Sequence, residues 1–403
     1  MKIRSITCFH PISWPLWEAG LHHLGLFAQQ ARQAFTAAGF EVQSLRLATT
    51  PFCLSCQPAD LPQLAREAEE VALQAGFDYI SLGPALLSHP ESYAAIPDAL
   101  AVTKSVFFSG MMADPQTRQL SLKAVRACAR IIHRASTILP DGFANLRFTA
   151  LGNVTPGAPF FPAAYHQGPT PAFSLALESS DVAIQAFKNV RNIDEGRQNL
   201  VNIITHTAAN LEAVAQSLRL ASSQMNFGGL DFTFAPYPED ARSSGAAIEQ
   251  FGIPAVGLAG SLAASAILTE ALGRIPYARC GFNGLMLPQL EDSILARRAA
   301  EGYLTTNDLL LYSAVCGTGL DTIALPGDST PEQISALLLD VAALSLRLDK
   351  PLTARLMPIP GKKAGEETCF DFSYFANSRI LPLRAQPLTG IFGNEETFEL
   401  RKR

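Results

Sequence analysis

The sequence predicts an α/β protein, and three observations carry that prediction. Hydrophobic residues make up 48% of the 403 and charged residues only 17%, which is enough apolar mass for a large core. Short strand-like runs alternate with longer helical ones along the chain, the pattern of strands joined by crossover helices. Helix starts carry their own chemistry, most clearly at Thr330, which can cap a helix while Pro331 suits its first turn and Gln333 completes a capping box.

The first element is a strand, Ile3 to Phe9, followed by a helix from Gly20 to Ala38 and a strand from Glu41 to Leu47 bounded by Gly39 and Pro51. Helix Leu61 to Ala75 leads to strand Asp78 to Leu82. A strand near Ser105 to Phe108 leads through Asp114-Pro115 into helix Gln116 to Ala135 and then strand Leu146 to Leu151. A Pro- and Gly-rich loop, Gly152 to Pro171, precedes strand Phe173 to Glu178. One or two helices between Asp181 and Leu220 then carry a dense polar face and divide the chain.

The second half repeats the alternation. Strand Gly229 to Phe234, helix Arg242 to Phe251, short strand Ala255 to Gly257, helix Ser261 to Gly273, strand Gly281 to Leu287 and helix Leu290 to Glu301 follow in order. An apolar helix, Leu309 to Val315, leads to strand Asp321 to Leu325, helix Pro331 to Arg347, strand Thr353 to Met357 and an apolar segment near Ile380. About ten strands with intervening helices mean a parallel or mixed sheet covered by helices, closed or open.

Charge narrows the function classes. Thirty-one Lys plus Arg against 36 Asp plus Glu give a net charge of -5, and no basic block is long enough to track a phosphate backbone, so nucleic acid is not expected as a partner. The longest charge-free apolar run, Ile253 to Leu268, falls short of the ~20 residues that span a bilayer. The polar N-terminus predicts neither export nor anchoring, and seven scattered cysteines suit reduced thiols in a cytoplasm. Cys53 and Cys56 form a lone CxxC without further zinc ligands and read as two loop cysteines.

Several residues suggest chemistry. Cys316 lies between an apolar helix and a strand, with Gly317 and Gly319 allowing a tight backbone whose amides can meet a ligand and favour a thiolate. His166, on the loop FFPAAYHQG, is the general-base candidate. Arg355 and Lys362, the latter in the turn PIPGKK, suit an anion, and Asp321 opens the strand after Cys316. Asp231, Glu291 and Asp292 are candidate oxygen ligands for a metal, although acids in a first helical turn are routine. Asp328 is better read as assisting the helix start at Thr330. No Walker loop, dinucleotide fingerprint, GxSxG or HExxH is present.

The blocks KIRSITCF, APFFPAAYHQG, GLDFTFAPYPEDARSSGAAIE, CGFNGLMLPQLEDSILARRAAEG, AVCGTGLDTIALPGD and RLMPIPGKK resemble the domain of unknown function 711 family, also called uncharacterised protein family 0210. The resemblance runs from the first strand to about Lys363. That family is similar in fold to the pyruvate formate-lyase-like glycyl radical enzymes, which implies a closed barrel of about ten strands surrounded by helices, with Cys316 near its centre. The expected arrangement is a single domain of 1–403, with pseudo-halves of about 1–180 and 221–403 joined by 181–220. The glycyl radical motif, RVxG followed by an aromatic residue, is missing. Gly390 and Gly393 lack the preceding Arg-Val, so radical catalysis is not expected.

The function expected from sequence is a cytoplasmic enzyme acting on a small polar or anionic metabolite in the barrel mouth. Cys316 would be nucleophile or thiol acid/base and His166 proton carrier, with the Gly317 to Gly319 amides and Lys362 holding negative charge. A metal-assisted hydrolase and a non-catalytic metabolite-binding or sensor protein are the alternatives. The sequence names no cofactor. The expected partner is a small-molecule ligand, with a homodimer left open.

Overall fold

The computed structural model describes residues 1–15, 18–222 and 225–403. Its strands are β1 (Lys2–His10), β2 (Leu45–Thr49), β3 (Tyr79–Ala85), β4 (Val106–Ala113), β5 (Gln119–Ser121), β6 (Phe148–Gly152), β7 (Ala172–Glu178), β8 (Asn226–Asp231), β9 (Gly319–Pro326), β10 (Leu352–Ile359) and β11 (Thr397–Glu399). Nine of them form one path in the order β8-β7-β1-β2-β3-β4-β6-β10-β9, while β5 pairs β4 and β11. Helices connect and surround this mixed sheet.

Direction divides the path into two sets. Strands β1, β2, β3, β4 and β6 run parallel. The sense reverses where β7 meets β1 and where β10 meets β6, and the pairs β7/β8 and β9/β10 are each parallel internally. The edge strands of the ladder are therefore β8 and β9. Between them passes the segment 278–289, which sequence reads as a strand over Gly281 to Leu287. It makes isolated bridges instead of a ladder: Leu230 with Arg279 and Phe234 with Leu285 on one side, Pro288 with Asp321 on the other. The backbone bends at Gly281 (φ 73°) and Asn283 (φ 47°), conformations that interrupt a regular strand.

Strands such as β1, β4 and β10 are buried on both faces, which explains their near-continuous apolar runs. One face packs on the helices through Ile6, Cys8, Leu47, Phe108 and Ile323. The other is filled by the Pro- and Gly-rich loop after β6. Its residues 158–166 are all buried, with Phe160, Phe161 and Tyr165 against Phe9, Phe107 and Met111.

A buried loop must satisfy its own backbone, and this one does so by bonding to the strands. The Thr7 hydroxyl donates to the Pro159 carbonyl (2.8 Å), the Ser81 hydroxyl to the Ala164 carbonyl (2.8 Å), and the His166 amide to the Thr49 carbonyl (2.9 Å). The loop is thus an internal plug.

Other expectations shift for local reasons. The capping box at Thr330 and Gln333 is present, and Thr305 with Asp308 forms a second. The helix expected from Gln116 begins instead at Leu122, capped by Ser121, because residues 119–121 pair with the C-terminal β11. Ala255 to Gly257 forms a turn with one bridge, Val256 to Leu258. No helix among the described residues is long and apolar enough to cross a membrane.

Candidate anion site

A cavity of about 490 Å³ opens at the N-terminal ends of the first parallel set. Arg4, Arg46, Tyr79 and Phe107 line it from the third, second, first and second positions of β1, β2, β3 and β4. Residues lying beyond the C-terminal end of β10, Phe372 and Tyr374, complete the wall. Loops past the C-terminal ends of parallel strands commonly host ligands, and the second set meets that condition here.

Three arginines and Glu291 form the floor, and Asp321 lies behind it on Arg355. Arg355 on β10 donates through Nη2 to Glu291 (2.6 Å) and through Nε to Asp321 (2.6 Å), with all three side chains buried. Arg4 donates to the other Glu291 oxygen (2.5 Å) and to the Pro236 carbonyl (3.0 Å). Burial alone would raise the Glu291 pKa, but the guanidinium groups of Arg355 and Arg4 outweigh it and hold the carboxyl below its ordinary range. Asp321 moves the other way: burial dominates, Arg355 opposes it, and the neighbouring Glu291 charge adds to the rise.

Arg46 differs from both. Its Nε donates to the Ser44 hydroxyl (2.9 Å), and the guanidinium lies 5.3 Å from the Phe161 ring centroid and 5.7 Å from that of Tyr79. It has no carboxylate partner among the described residues, and none of their atoms accepts a hydrogen bond from its Nη1 or Nη2. Burial and the nearby Arg4 bring its pKa down to about 10, against the smaller opposing pull of Tyr79 and of the Glu291 carboxylate, which lies near but forms no salt bridge with it. Unlike Arg46, the buried Arg147 at the rim is satisfied by the Leu100 and Val106 carbonyls and by Thr103.

The expected site residues are thus only partly brought together. Asp321, Arg355 and Glu291 meet in one network, as an arginine–carboxylate cluster. Cys316 lies elsewhere, 1% exposed in the main apolar core, and does not line the cavity. Its carbonyl accepts from the Lys350 ammonium. The Gly317 amide donates to the Leu285 carbonyl (2.8 Å), and a methyl on Gly317 would meet the Gly284 backbone at 2.6 Å, so this glycine serves a close chain crossing. Gly319 (φ 94°) similarly lies against the Thr353 backbone. Lys362 is half-buried at the turn after β10 and does not line the cavity either.

The acids proposed for a metal have separate partners. Asp231 accepts from the Thr233 hydroxyl (2.6 Å) and from the amides of Thr233, Phe282 and Asn283; burial still raises its pKa to about 6. Asp292 accepts from Ser243, Ser244, Gly245, Ile294 and Leu295, tying together two helix starts. Among the described residues no group of three or more His, Cys, Asp or Glu could hold a metal ion.

His166 belongs to the plug. It is 5% exposed, and its Nε2 has no hydrogen-bond partner among the described residues. Burial, then the neighbouring His10, lowers its pKa. A histidine held neutral in the fold gains protons more readily when unfolded, so its contribution is complete above pH ~6.5 and is lost as pH falls from there through the folded value. We expect urea midpoints to drop between pH 7 and 5, and a His166→Gln variant to lose less than the parent over that range. An equal loss in both would show that His166 does not set it.

Arg4 and Arg46 are the site residues that sequence reasoning misses. Arg46 interrupts the apolar run of LRLAT and Arg4 lies within the strand KIRSITCF, and a charge inside a strand that must be buried is the available signal.

The comparisons agree along most of the chain. The sequence model of the family described as "Uncharacterised ACR (DUF711)" matches residues 1–373. A UPF0210 protein of Pyrobaculum arsenaticum is 28% identical over 390 residues, covering 91% of this chain and 85% of that one. Another from Pyrobaculum islandicum is 30% identical over 352 residues, with 81% and 76% covered. A third, from Oenococcus oeni, is 28% identical over 364 residues, with 86% and 80% covered. With its first 373 residues matched, the chain belongs to the DUF711 family.

Proposed function

We propose that this protein is an enzyme that binds a small organic anion in the cavity floored by Arg4, Arg46 and Arg355. The observation that carries the reading is Arg46, a buried guanidinium without a carboxylate partner among the described residues, facing a cavity through two N–H-bearing nitrogens. Such a charge is unfavourable unless something neutralises it, and a bidentate anion does so best.

Acid–base chemistry suits the floor better than thiol chemistry. Glu291 and Asp321 share Arg355 while their proton affinities are pushed apart, the arrangement that lets one carboxyl hold a proton beside an ionised neighbour. Cys316 and His166, by contrast, lie in the main core and in the plug.

The accompanying reading of the fold is a closed ten-stranded barrel. Its support is the segment 278–289, which bonds to β8 and β9 and would make a second parallel set of five beside the first. The plug then occupies the barrel interior, and the anion cavity is one of its mouths.

Iodide soaked into crystals of the full chain tests the anion reading. Anomalous density within hydrogen-bonding range of Arg46 Nη1 and Nη2 is the expected result. A map with iodide elsewhere but none at Arg46 would overturn it.

A further inference from the structure

Building on that anion site, we infer that its ligand is an aromatic carboxylate: one carboxylate on a flat apolar body of one or two rings, not a sugar phosphate. The inference comes from what surrounds Arg46.

The first observation is the wall. Phe161 and Tyr79 both lie against the Arg46 guanidinium, and Phe107 joins them, with its ring centroid 5.5 Å from that of Tyr79 and 5.3 Å from that of Phe161. A continuous aromatic surface therefore begins at the cation. Phe372 and Tyr374, with centroids 5.3 Å apart, line the same cavity from the C-terminal side. A planar body leaving Arg46 would meet aromatic rings, whose quadrupoles favour offset or edge contact with another ring.

The second observation is the shortage of free polar groups. Arg4 and Arg355 are engaged by Glu291, Asp321 and carbonyls, and Arg147 by carbonyls and Thr103. The Thr103 hydroxyl is itself bonded to the Ala99 carbonyl. Gln43, Lys104 and the two tyrosine hydroxyls are what remain among the described lining residues. A sugar would bury several hydroxyls there without partners, and each unpaired hydroxyl weakens binding.

The third observation is the shape of the available cation. Ser44 takes the Nε edge of Arg46, leaving the end formed by Nη1 and Nη2. That end presents two parallel donors, a match for one carboxylate. A phosphate ester, a dianion with three terminal oxygens, would find one free fork and, beyond it, the single ammonium of Lys104.

Calorimetry on the full chain at low ionic strength tests the inference with naphthoate, naphthalenemethanol, glucose phosphate and inorganic phosphate. Naphthoate is expected to bind roughly tenfold or more tighter than either the neutral alcohol or glucose phosphate. Tyr79→Leu and, separately, Phe161→Leu are expected to weaken naphthoate by about tenfold while leaving iodide at Arg46. Two variants from different elements guard against misfolding of one.

Tighter binding of glucose phosphate, lost in an Arg46→Met variant, would overturn the aromatic assignment and leave the anion site standing. Failure of all four probes together with an Arg46 free of iodide would overturn both. Naphthoate binding that survives Arg46→Met would place the probe in another cavity and likewise reject the inference.

Discussion

Replacing Arg46 with methionine is expected to weaken anion binding about 100-fold and to leave the protein at least as stable as the parent. These two effects rarely go together, since most buried substitutions destabilise. The reason lies in the partners of Arg46: one hydroxyl and two aromatic faces, with no salt-bridged carboxylate among the described residues and only the more distant charge of Glu291 to offset its own. Its pKa falls from the ordinary arginine range to about 10 on folding.

A cation whose folded pKa is depressed burdens the fold at every pH below that value, because both states are then protonated. At pH 7 the whole penalty is present, about 3 kcal/mol. Methionine keeps the apolar stem against Phe161 and Tyr79 and removes the charge, so stability is expected to rise by about 1–3 kcal/mol in low salt. Ligand affinity should fall by about 100-fold, as expected for loss of a buried bidentate partner.

Arg355→Met is the informative contrast. It strands Asp321, leaves Glu291 with Arg4 alone, and should lose stability as well as binding. Urea unfolding and calorimetry on the two variants decide the matter. An Arg46→Met protein destabilised by several kcal/mol, or one that still binds naphthoate, would mean that Arg46 is a structural residue.

The sequence makes the alternation of strands and helices legible because those signals are local. Thr330 and Gln333 announce a helix by themselves, and the structure has it. Pairings between distant segments leave no such trace. Gln119 to Ser121 reads as the start of a helix until Thr397 to Glu399, about two-thirds of the chain length away, pairs with it. Gly281 to Leu287 reads as a strand, yet Asp231 draws in the amides of Phe282 and Asn283 and bends it.

The site is less legible for a related reason. Loops are normally solvated, so a glycine- and proline-rich stretch after β6 suggests an open cleft for His166. The apolar run APFFPAAY within it is the clue to burial. Cys316 draws attention through its glycines, but Gly317 meets Gly284 and Gly319 meets Thr353 as close backbone contacts. Arg355, Asp321 and Glu291 stand apart in the sequence, suggesting separate anion, ligand and metal roles. Only the fold brings β9, β10 and the turn before helix Ser293–Ala300 together with Arg4 and so reveals one network.

The largest loss of stability is expected from Asp292→Ala. Asp292 is fully buried and caps helix Ser293–Ala300 by accepting from the Ile294 and Leu295 amides, both at 3.0 Å. The same carboxylate accepts from the Ser243 hydroxyl (2.5 Å) and from the Ser244 (2.6 Å) and Gly245 (3.2 Å) amides, which belong to the start of helix Ser244–Glu249. Alanine would leave these donors without an acceptor in a site closed to water. Losing a cap costs about 1 kcal/mol, and each further orphaned buried donor about 1–3, so a total of about 4–6 kcal/mol is expected after partial relaxation.

The Asp292→Asn variant keeps the shape and one acceptor oxygen but turns an NH2 group toward the Ser244 or Ile294 amide. It should therefore fall between the parent and the alanine variant. Burial raises the Asp292 pKa, opposed by Ser243 and the helix amides, so the five donors must compensate for a charge that burial disfavours. A metal role predicts a different pattern: a chelator would destabilise the parent protein and leave the alanine variant unaffected. Thermal melts of parent, Asp292→Asn and Asp292→Ala with and without EDTA separate the two. A parent melting point unmoved by EDTA, with a graded loss from the asparagine to the alanine variant, is the result that capping requires.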